Sequence, residues 1–221
     1  MKSSGKLAEM LRVHSIFKSL QGEGLMMGLP TVFIRLAGCP LRCSWCDTTE
    51  AQLPSSGKNM SIEQILEAVV KTRLPYVCLT GGEPLMQKET VTLMNRLIEK
   101  DLFIQLETSG SISLEEVPCS ENVMISMDIK CPSSGEHEKM DFSNIELLSQ
   151  LDQLKFIIAD EKDYLYAKKI IADYTINCST IMTPVGGLDL EWLAKKVIRD
   201  KLKVRVLPQL HRLIWGDKPD R

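Results

Sequence analysis

The sequence predicts an α/β fold: a partial, open TIM-like barrel of about six parallel strands with helices outside. Residues 1–221 read as one domain, with 1–10 flexible. Three observations lead there. Strand-like and helix-like segments alternate along almost the whole chain, the signature of a parallel sheet covered by helices. Six or seven such units are too few for a closed eightfold barrel. No internal repeat, low-complexity tract or linker divides the chain.

Residues 11–17 alternate like a strand, and 19–24 form a glycine-punctuated turn carrying Gln21 and Glu23. Residues 31–37 are apolar and β-branched, a buried strand, after which Gly38 and Pro40 favour a loop. The stretch 50–59 is polar and contains Pro54 and Gly57, so it reads as a surface loop. Ser61 and Gln64 make a capping box that opens a helix to about Lys71. Strands follow at 75–80, 102–107, 123–127, 154–158, 178–182 and 204–207. Helices are expected at 87–100, 142–151, 163–173 and 188–199.

In parallel α/β folds, functional groups gather at the carboxyl ends of the strands. Here those ends are the loop from Gly38, then Thr80 to Pro84, Glu107 to Gly110, Ser126 to Lys130, Thr183 to Gly187 and Pro208 to His211. Every glycine-rich or polar cluster falls at one end of the expected sheet.

The first of these loops carries the sharpest signal. Cys39, Cys43 and Cys46 are spaced C-x3-C-x2-C within eight residues. A structural zinc site takes four protein ligands. Three thiolates on a 4Fe–4S cluster leave one iron without a side chain, open to a small molecule. At the next strand end, Gly81, Gly82 and Glu83 expose backbone groups and a carboxylate. They lack the lysine and helix spacing of a phosphate loop, and by themselves read equally as a turn.

Composition sets the bounds. Apolar residues are 44% and charged residues 25%, with a net charge of −2, ordinary for a globular protein and without a strong pull toward nucleic acid or membrane. No run approaches a membrane span, and no signal peptide is evident, which points to the cytoplasm. Seven cysteines, an odd number, argue for a reducing compartment. Cys78 and Cys178 lie in apolar runs and read as core residues, and Cys131 lies nearer the site.

The three-cysteine loop followed by the Gly81–Pro84 turn resembles the radical S-adenosylmethionine (SAM) superfamily. The flanking elements narrow the resemblance. Gln21-Gly22-Glu23-Gly24, Arg35, the Trp45-Cys46-Asp47-Thr48 close of the loop, and Pro208 to Trp215 are together similar to 7-carboxy-7-deazaguanine synthases, over about Arg12 to Gly216. The resemblance implies ring contraction of 6-carboxy-5,6,7,8-tetrahydropterin with release of ammonia, in 7-deazapurine (queuosine- or archaeosine-type) biosynthesis. It implies that Cys39, Cys43 and Cys46 hold a 4Fe–4S cluster. SAM would chelate the open iron and yield a 5′-deoxyadenosyl radical that is later returned to it. Thr48 would hold Mg²⁺, a hard cation suited to oxygen ligands.

Substrate contacts carry over to Leu20, Gln21, Gly22, Glu23, Arg35, Thr80, Gln209 and His211. Of these, Arg35 suits the substrate carboxylate. SAM contacts carry over to Trp45, Cys46, Asp47, Gly81, Gly82, Glu83, Glu107, Ser126, Asp128, Lys130, Thr183, Pro184 and Val185. The spacing from Ser126 to Lys130 departs from the family's serine-proline-lysine arrangement. Family members are typically homodimers, fed electrons by a flavodoxin or ferredoxin. Trp192, Leu213 and Trp215 serve either an interface or a core.

Two rivals remain at this level. A glycyl-radical-enzyme activase shares the cysteine motif and the turn but acts on a protein, so it has no need of Gln21, Glu23, Gln209 and His211. A non-catalytic iron–sulfur or zinc module needs a fourth protein ligand, and none of the three histidines (His14, His137, His211) neighbours the loop.

Overall fold

A computed structural model describes residues 9–187, 189–216, 218 and 220. Its strands are β1 (Met10–Leu20), β2 (Pro30–Leu36), β3 (Lys58–Ser61), β4 (Tyr76–Gly81), β5 (Phe103–Thr108), β6 (Val123–Ile129), β7 (Gln153–Ile158), β8 (Ser179–Pro184) and β9 (Arg205–Val206). Its helices are α1 (Ile62–Val70), α2 (Glu89–Ile98), α3 (Glu161–Asp173), α4 (Leu190–Asp200) and α5 (Leu210–Trp215). The strands form one sheet in the order β3-β1-β2-β4-β5-β6-β7-β8-β9. From β2 to β9 every pairing is parallel, while β1 runs antiparallel to both β2 and β3. The sheet does not close, so the expected open barrel is what the chain builds.

The strands' period of two sorts their side chains into two layers. Ile34, Leu36, Val77, Leu79, Ile104, Leu106, Met127, Ile129, Leu154, Phe156 and Ile158 belong to the apolar core. The core's outer wall is helical: α1 contributes Ile62, Ile65, Leu66 and Val69, and α2 contributes Leu93, Met94 and Leu97, each set at helical spacing. The alternate positions carry Phe33 and Arg35, Cys78 and Thr80, Gln105 and Glu107, Ser126 and Asp128, and Gln153 and Lys155. Register places these in lateral rows: Arg35 beside Thr80, Glu107 beside Ser126, and Asp128 beside Lys155. The concave face of the sheet is therefore largely polar, and the site is built on it.

The capping box at α1 is present in both directions, Gln64 N to Ser61 Oγ at 3.2 Å and Ser61 N to Gln64 Oε1 at 2.9 Å. Several expectations are corrected. Residues 142–151 are not an α-helix but a short 3-10 segment, Phe142–Leu147. Asp141 accepts from the backbone and hydroxyl of Ser143, and Asn144 bonds the carbonyls of Gly110 and Ile112, so side chains compete with the helical ladder. The polar 50–59 stretch runs into β3, an added edge strand on β1. The last strand shrinks to two residues, and α5 follows it unforeseen. Met10 already belongs to β1, while 1–8 of the segment expected to be flexible, and Leu188 at the expected start of α4, lie outside the described residues.

Candidate active site

A cleft with about 1400 Å³ of empty space, counted out to its open mouth, lies over the concave face at the carboxyl ends of the strands. All three loop thiols line it, with Arg35, Thr80, Glu107, Asp128 and Lys155 from the strands and Gln209, His211 and Arg212 from the far end of the chain.

The cysteine loop is fastened at both ends. Gly38 N and Cys39 N donate to the carbonyls of Ala51 and Gln52. Ser44 N donates to Ser134 O at 3.0 Å, Trp45 Nε1 to Ser133 Oγ at 3.3 Å, and Arg42 N to Glu136 Oε1 at 2.7 Å. The 133–134 turn is itself tied to the buried carboxylate of Asp163 in the first turn of α3. Burial, above all, pushes the Cys39 thiol up and raises Cys43 to about 11.

Among the described residues, the only trio of ligand-type atoms lying within 4.8 Å of one another is Glu23, Asp47 and His211. The three thiols line the same cleft as this trio. A set of three sulfur donors fits a 4Fe–4S cluster with one open iron better than a closed four-ligand zinc site.

The Gly81–Glu83 turn packs directly on this loop. Gly82 N donates to Leu36 O and Glu83 N to Gly38 O. A Cβ on Gly82 would stand 2.3 Å from Gly38 O, so only glycine permits the approach. Glu83 is fully buried and accepts from Leu85 N, Thr108 Oγ1, Ser109 N and Ser109 Oγ, so its carboxylate braces the turn.

A charged network fills the floor. Lys155, 3% exposed, donates to Glu23 Oε2 at 2.8 Å and to Glu107 Oε2 at 2.9 Å, and forms an ion pair with Asp128 Oδ1 at 3.2 Å. Lys130 pairs with Asp128 Oδ2 at 2.9 Å and lies 5.4 Å over the Trp45 ring. Burial raises Glu107 above the usual carboxylate range, despite Lys155. Burial acts on Glu23 and Asp128 in the same direction, but neighbouring ammonium charges outweigh it and hold both below their usual range. Burial lowers Lys155 less than its three carboxylates raise it, and the group stays protonated.

The 20–24 turn meets α5 across the mouth. Leu210 N donates to Gly22 O at 2.8 Å and Gln209 Nε2 to Glu23 Oε1 at 2.7 Å. Gln209 Oε1 is buried with no donor among the described residues. A Cβ on Gly22 would fall 2.1 Å from His211 Nδ1, so the imidazole lies flush on the glycine. Arg35 reaches Thr48 Oγ1 and Asp220 Oδ1, each at 3.4 Å, and stacks 5.6 Å over Phe17.

Of the residues singled out from sequence, Leu20, Gln21, Gly22, Glu23, Arg35, Cys39, Cys43, Trp45, Cys46, Asp47, Thr48, Thr80, Gly81, Gly82, Glu107, Asp128, Lys130, Val185, Gln209 and His211 line the cleft. Glu83, Ser126, Thr183 and Pro184 are buried and do not line it. Ser126 lies inside β6 rather than at its end and donates to Glu107 Oε2 at 2.8 Å. Lys155, Phe17 and Phe33 line the cleft unanticipated. The signal available for Lys155 was a lone charge in an otherwise apolar strand, Leu154 to Ile158. Cys131 is buried and its thiol pushed well up by burial, away from any reactive role.

Comparison with known proteins agrees with this geometry. A family model described as the radical SAM superfamily matches residues 33–195. A 7-carboxy-7-deazaguanine synthase of Chlorobaculum tepidum is 41% identical over 212 residues, covering 93% of this chain and 94% of its own. That of Methanospirillum hungatei is 39% identical over 208 residues, covering 92% and 85%.

The chain belongs to the 7-carboxy-7-deazaguanine synthase family.

It is a radical SAM lyase, and membership implies a 4Fe–4S cluster and SAM. A third family member, from Thermoplasma acidophilum, is 34% identical and covers 94% of this chain and 98% of its own. The crystal structure of QueE from Escherichia coli shares the fold, with a TM-score of 0.72 at 22% identity, covering 90% of this chain and 94% of that one. No helix among the described residues is long and apolar enough to cross a membrane.

Proposed function

We propose that this chain, acting as one radical SAM domain, contracts the ring of 6-carboxy-5,6,7,8-tetrahydropterin to 7-carboxy-7-deazaguanine and releases ammonia, for 7-deazapurine biosynthesis. The observation that carries the reading is the meeting of three loop thiols with an arginine already holding a carboxylate in one cleft.

In this reading Cys39, Cys43 and Cys46 hold the cluster, which when bound supplies the electron that cleaves SAM to a 5′-deoxyadenosyl radical. The backbone of Gly81 and Gly82 receives the methionine amino group. Trp45, Cys46 and Asp47 form the neighbouring wall. Glu107, Asp128 and Lys130 face the ribose and carboxylate, and Val185 faces the adenine. Glu83, Ser126, Thr183 and Pro184 brace these groups from behind. Leu20, Gln21, Gly22, Glu23, Thr80, Gln209 and His211 take the pterin. The orphaned acceptor of Gln209 suits an N–H on the ring edge.

Arg35 takes the substrate carboxylate, which displaces Asp220. Thr48, with Asp47, Glu23 and His211 close by, offers the oxygen-rich corner in which Mg²⁺ would orient that carboxylate. We also assign the protein to the cytoplasm as a homodimer, reduced by a flavodoxin or ferredoxin, with exposed Leu213 and neighbouring Trp215 at the interface. Trp192 instead packs against Tyr164.

The test is anaerobic turnover of the iron-loaded protein with the carboxypterin, SAM and reductant, with and without Mg²⁺. The reading expects 7-carboxy-7-deazaguanine and one ammonia per product, faster with Mg²⁺. An untouched pterin alongside an intact, reducible cluster would overturn it.

A further inference from the structure

Lys155 belongs to none of the motifs that carry the family resemblance, and it sits at the centre of the site. Its ammonium joins groups from distant parts of the chain. Glu23 lies on the turn between β1 and β2, Glu107 near the end of β5, and Asp128 near the end of β6. Each carboxylate has a second partner on its own side. Glu23 accepts from Gln209 at 2.7 Å, Glu107 from Ser126 at 2.8 Å and from Gln105, and Asp128 from Lys130 at 2.9 Å. Lys155 is what these separate sets share. The other links are neutral: Gln21 Nε2 donates to Gln105 Oε1 at 2.7 Å, and Gln153 accepts from Leu25 N at 2.8 Å while donating to Ser126 Oγ at 2.7 Å, so Lys155 is the charged bridge between the two sides.

Packing does not account for this lysine. An apolar side chain of similar volume would fill a strand between Leu154 and Phe156 as well, and replacing buried ion pairs by apolar groups is often neutral or stabilising. The fixed charge does serve geometry. In the functional reading above, on which this inference rests, Glu23 faces the pterin while Glu107 and Asp128 face SAM. One ammonium therefore grips both sides of the gap that a hydrogen atom must cross.

We propose that Lys155 is a positioning residue that holds the pterin-facing turn and the SAM-facing strand ends in register, so that SAM cleavage stays coupled to product formation. It does so through Glu23, Glu107 and Asp128, without itself taking part in bond breaking. When the register is right, the radical finds its hydrogen and is returned to SAM, so little 5′-deoxyadenosine escapes. When it is wrong, SAM is still cleaved and the nucleoside is released.

The test uses Lys155→Arg, which keeps the charge but not the compact ammonium, and Lys155→Gln, which keeps polarity but not the charge. Both are loaded with cluster and assayed anaerobically beside the wild type for 5′-deoxyadenosine released per 7-carboxy-7-deazaguanine formed. The paramagnetic resonance spectrum of the reduced cluster with SAM reports whether the cofactor side is intact. The expected result is an unchanged spectrum, kcat lower by about 100-fold, and a nucleoside-to-product ratio higher by about tenfold or more, the scale of a reacting group misplaced by an ångström.

A ratio equal to the wild type's in either folded, loaded variant overturns the inference, because loss of active protein lowers both products together. So does failure of both variants to fold, since Lys155 would then hold the fold instead of the ligands. A wild type that makes no product overturns the functional reading itself, and that arm is read separately from the variants.

Discussion

Arg35 meets two oxygens in the cleft, the Thr48 hydroxyl and the Asp220 carboxylate. If the substrate carboxylate replaces Asp220, removing that competitor eases binding. Asp220→Asn is expected to lower KM for the carboxypterin by about twofold to fivefold, the scale of a partly exposed ion pair, with kcat unchanged. A raised KM in steady-state assays would mean that Asp220 assists binding.

The charged floor makes a signed pH prediction. Glu23 and Asp128 titrate below their ordinary 4.5 and 3.8, so their stabilisation is present above those values and fades as pH falls through the lower native values. Lys155 titrates above 10.5, so its share is present below that value and fades as pH rises through the native one. Glu107, raised above 4.5, works against the other carboxylates. In Lys155→Met only Asp128 keeps an ammonium partner, Lys130, and ionising Glu23 and Glu107 costs stability. Its melting temperature is expected to fall as pH rises from about 4 to 7, while the wild type's does not. Calorimetry showing parallel profiles for the two would contradict this.

Residues on loops were legible from their motifs, because glycines, cysteines and turn residues announce themselves. Lys155, Gln105 and Gln153 were not, because single polar residues inside apolar strands become a pattern only once register sets them side by side.

At the level of elements, α1 and the turn after β4 separate stability from function. Ser61 caps α1 at the edge of the sheet, away from the cleft. Ser61→Ala is expected to cost about 1 kcal/mol and to lower the melting temperature by about 2–4 °C, with turnover unchanged. A loss of activity at unchanged stability would place α1 in the site. Gly82→Ala acts the other way. Its methyl group collides with Gly38 and Cys39, so the loop of thiols must shift. Iron per chain after reconstitution is expected to fall while the apo-protein stays folded by circular dichroism; full iron loading would show that the loop tolerates the push. The capping box was readable because it is local. The 142–151 segment was misread because its apolar residues have helical spacing, but Asp141 and Asn144 bond the backbone instead.

For the molecule as a whole, the strand–helix alternation was enough to foresee an open parallel sheet with its site at the carboxyl ends. What it could not show is that the central strands are two-faced, apolar toward the helices and largely polar toward the cleft. The added edge strand β3 and the short β9 depend on neighbours far away in the chain, beyond the reach of local pattern. The two-faced sheet matters because it delivers Arg35, Thr80, Glu107, Asp128 and Lys155 beneath one loop of thiols.

The central claim is that this loop holds a cluster with one iron left for a small molecule. The most direct measurement is paramagnetic resonance of the reduced, reconstituted protein titrated with SAM. The account predicts that SAM shifts the cluster's g-values at one equivalent. A spectrum that ignores SAM would show the iron fully enclosed by side chains, and the account would be wrong.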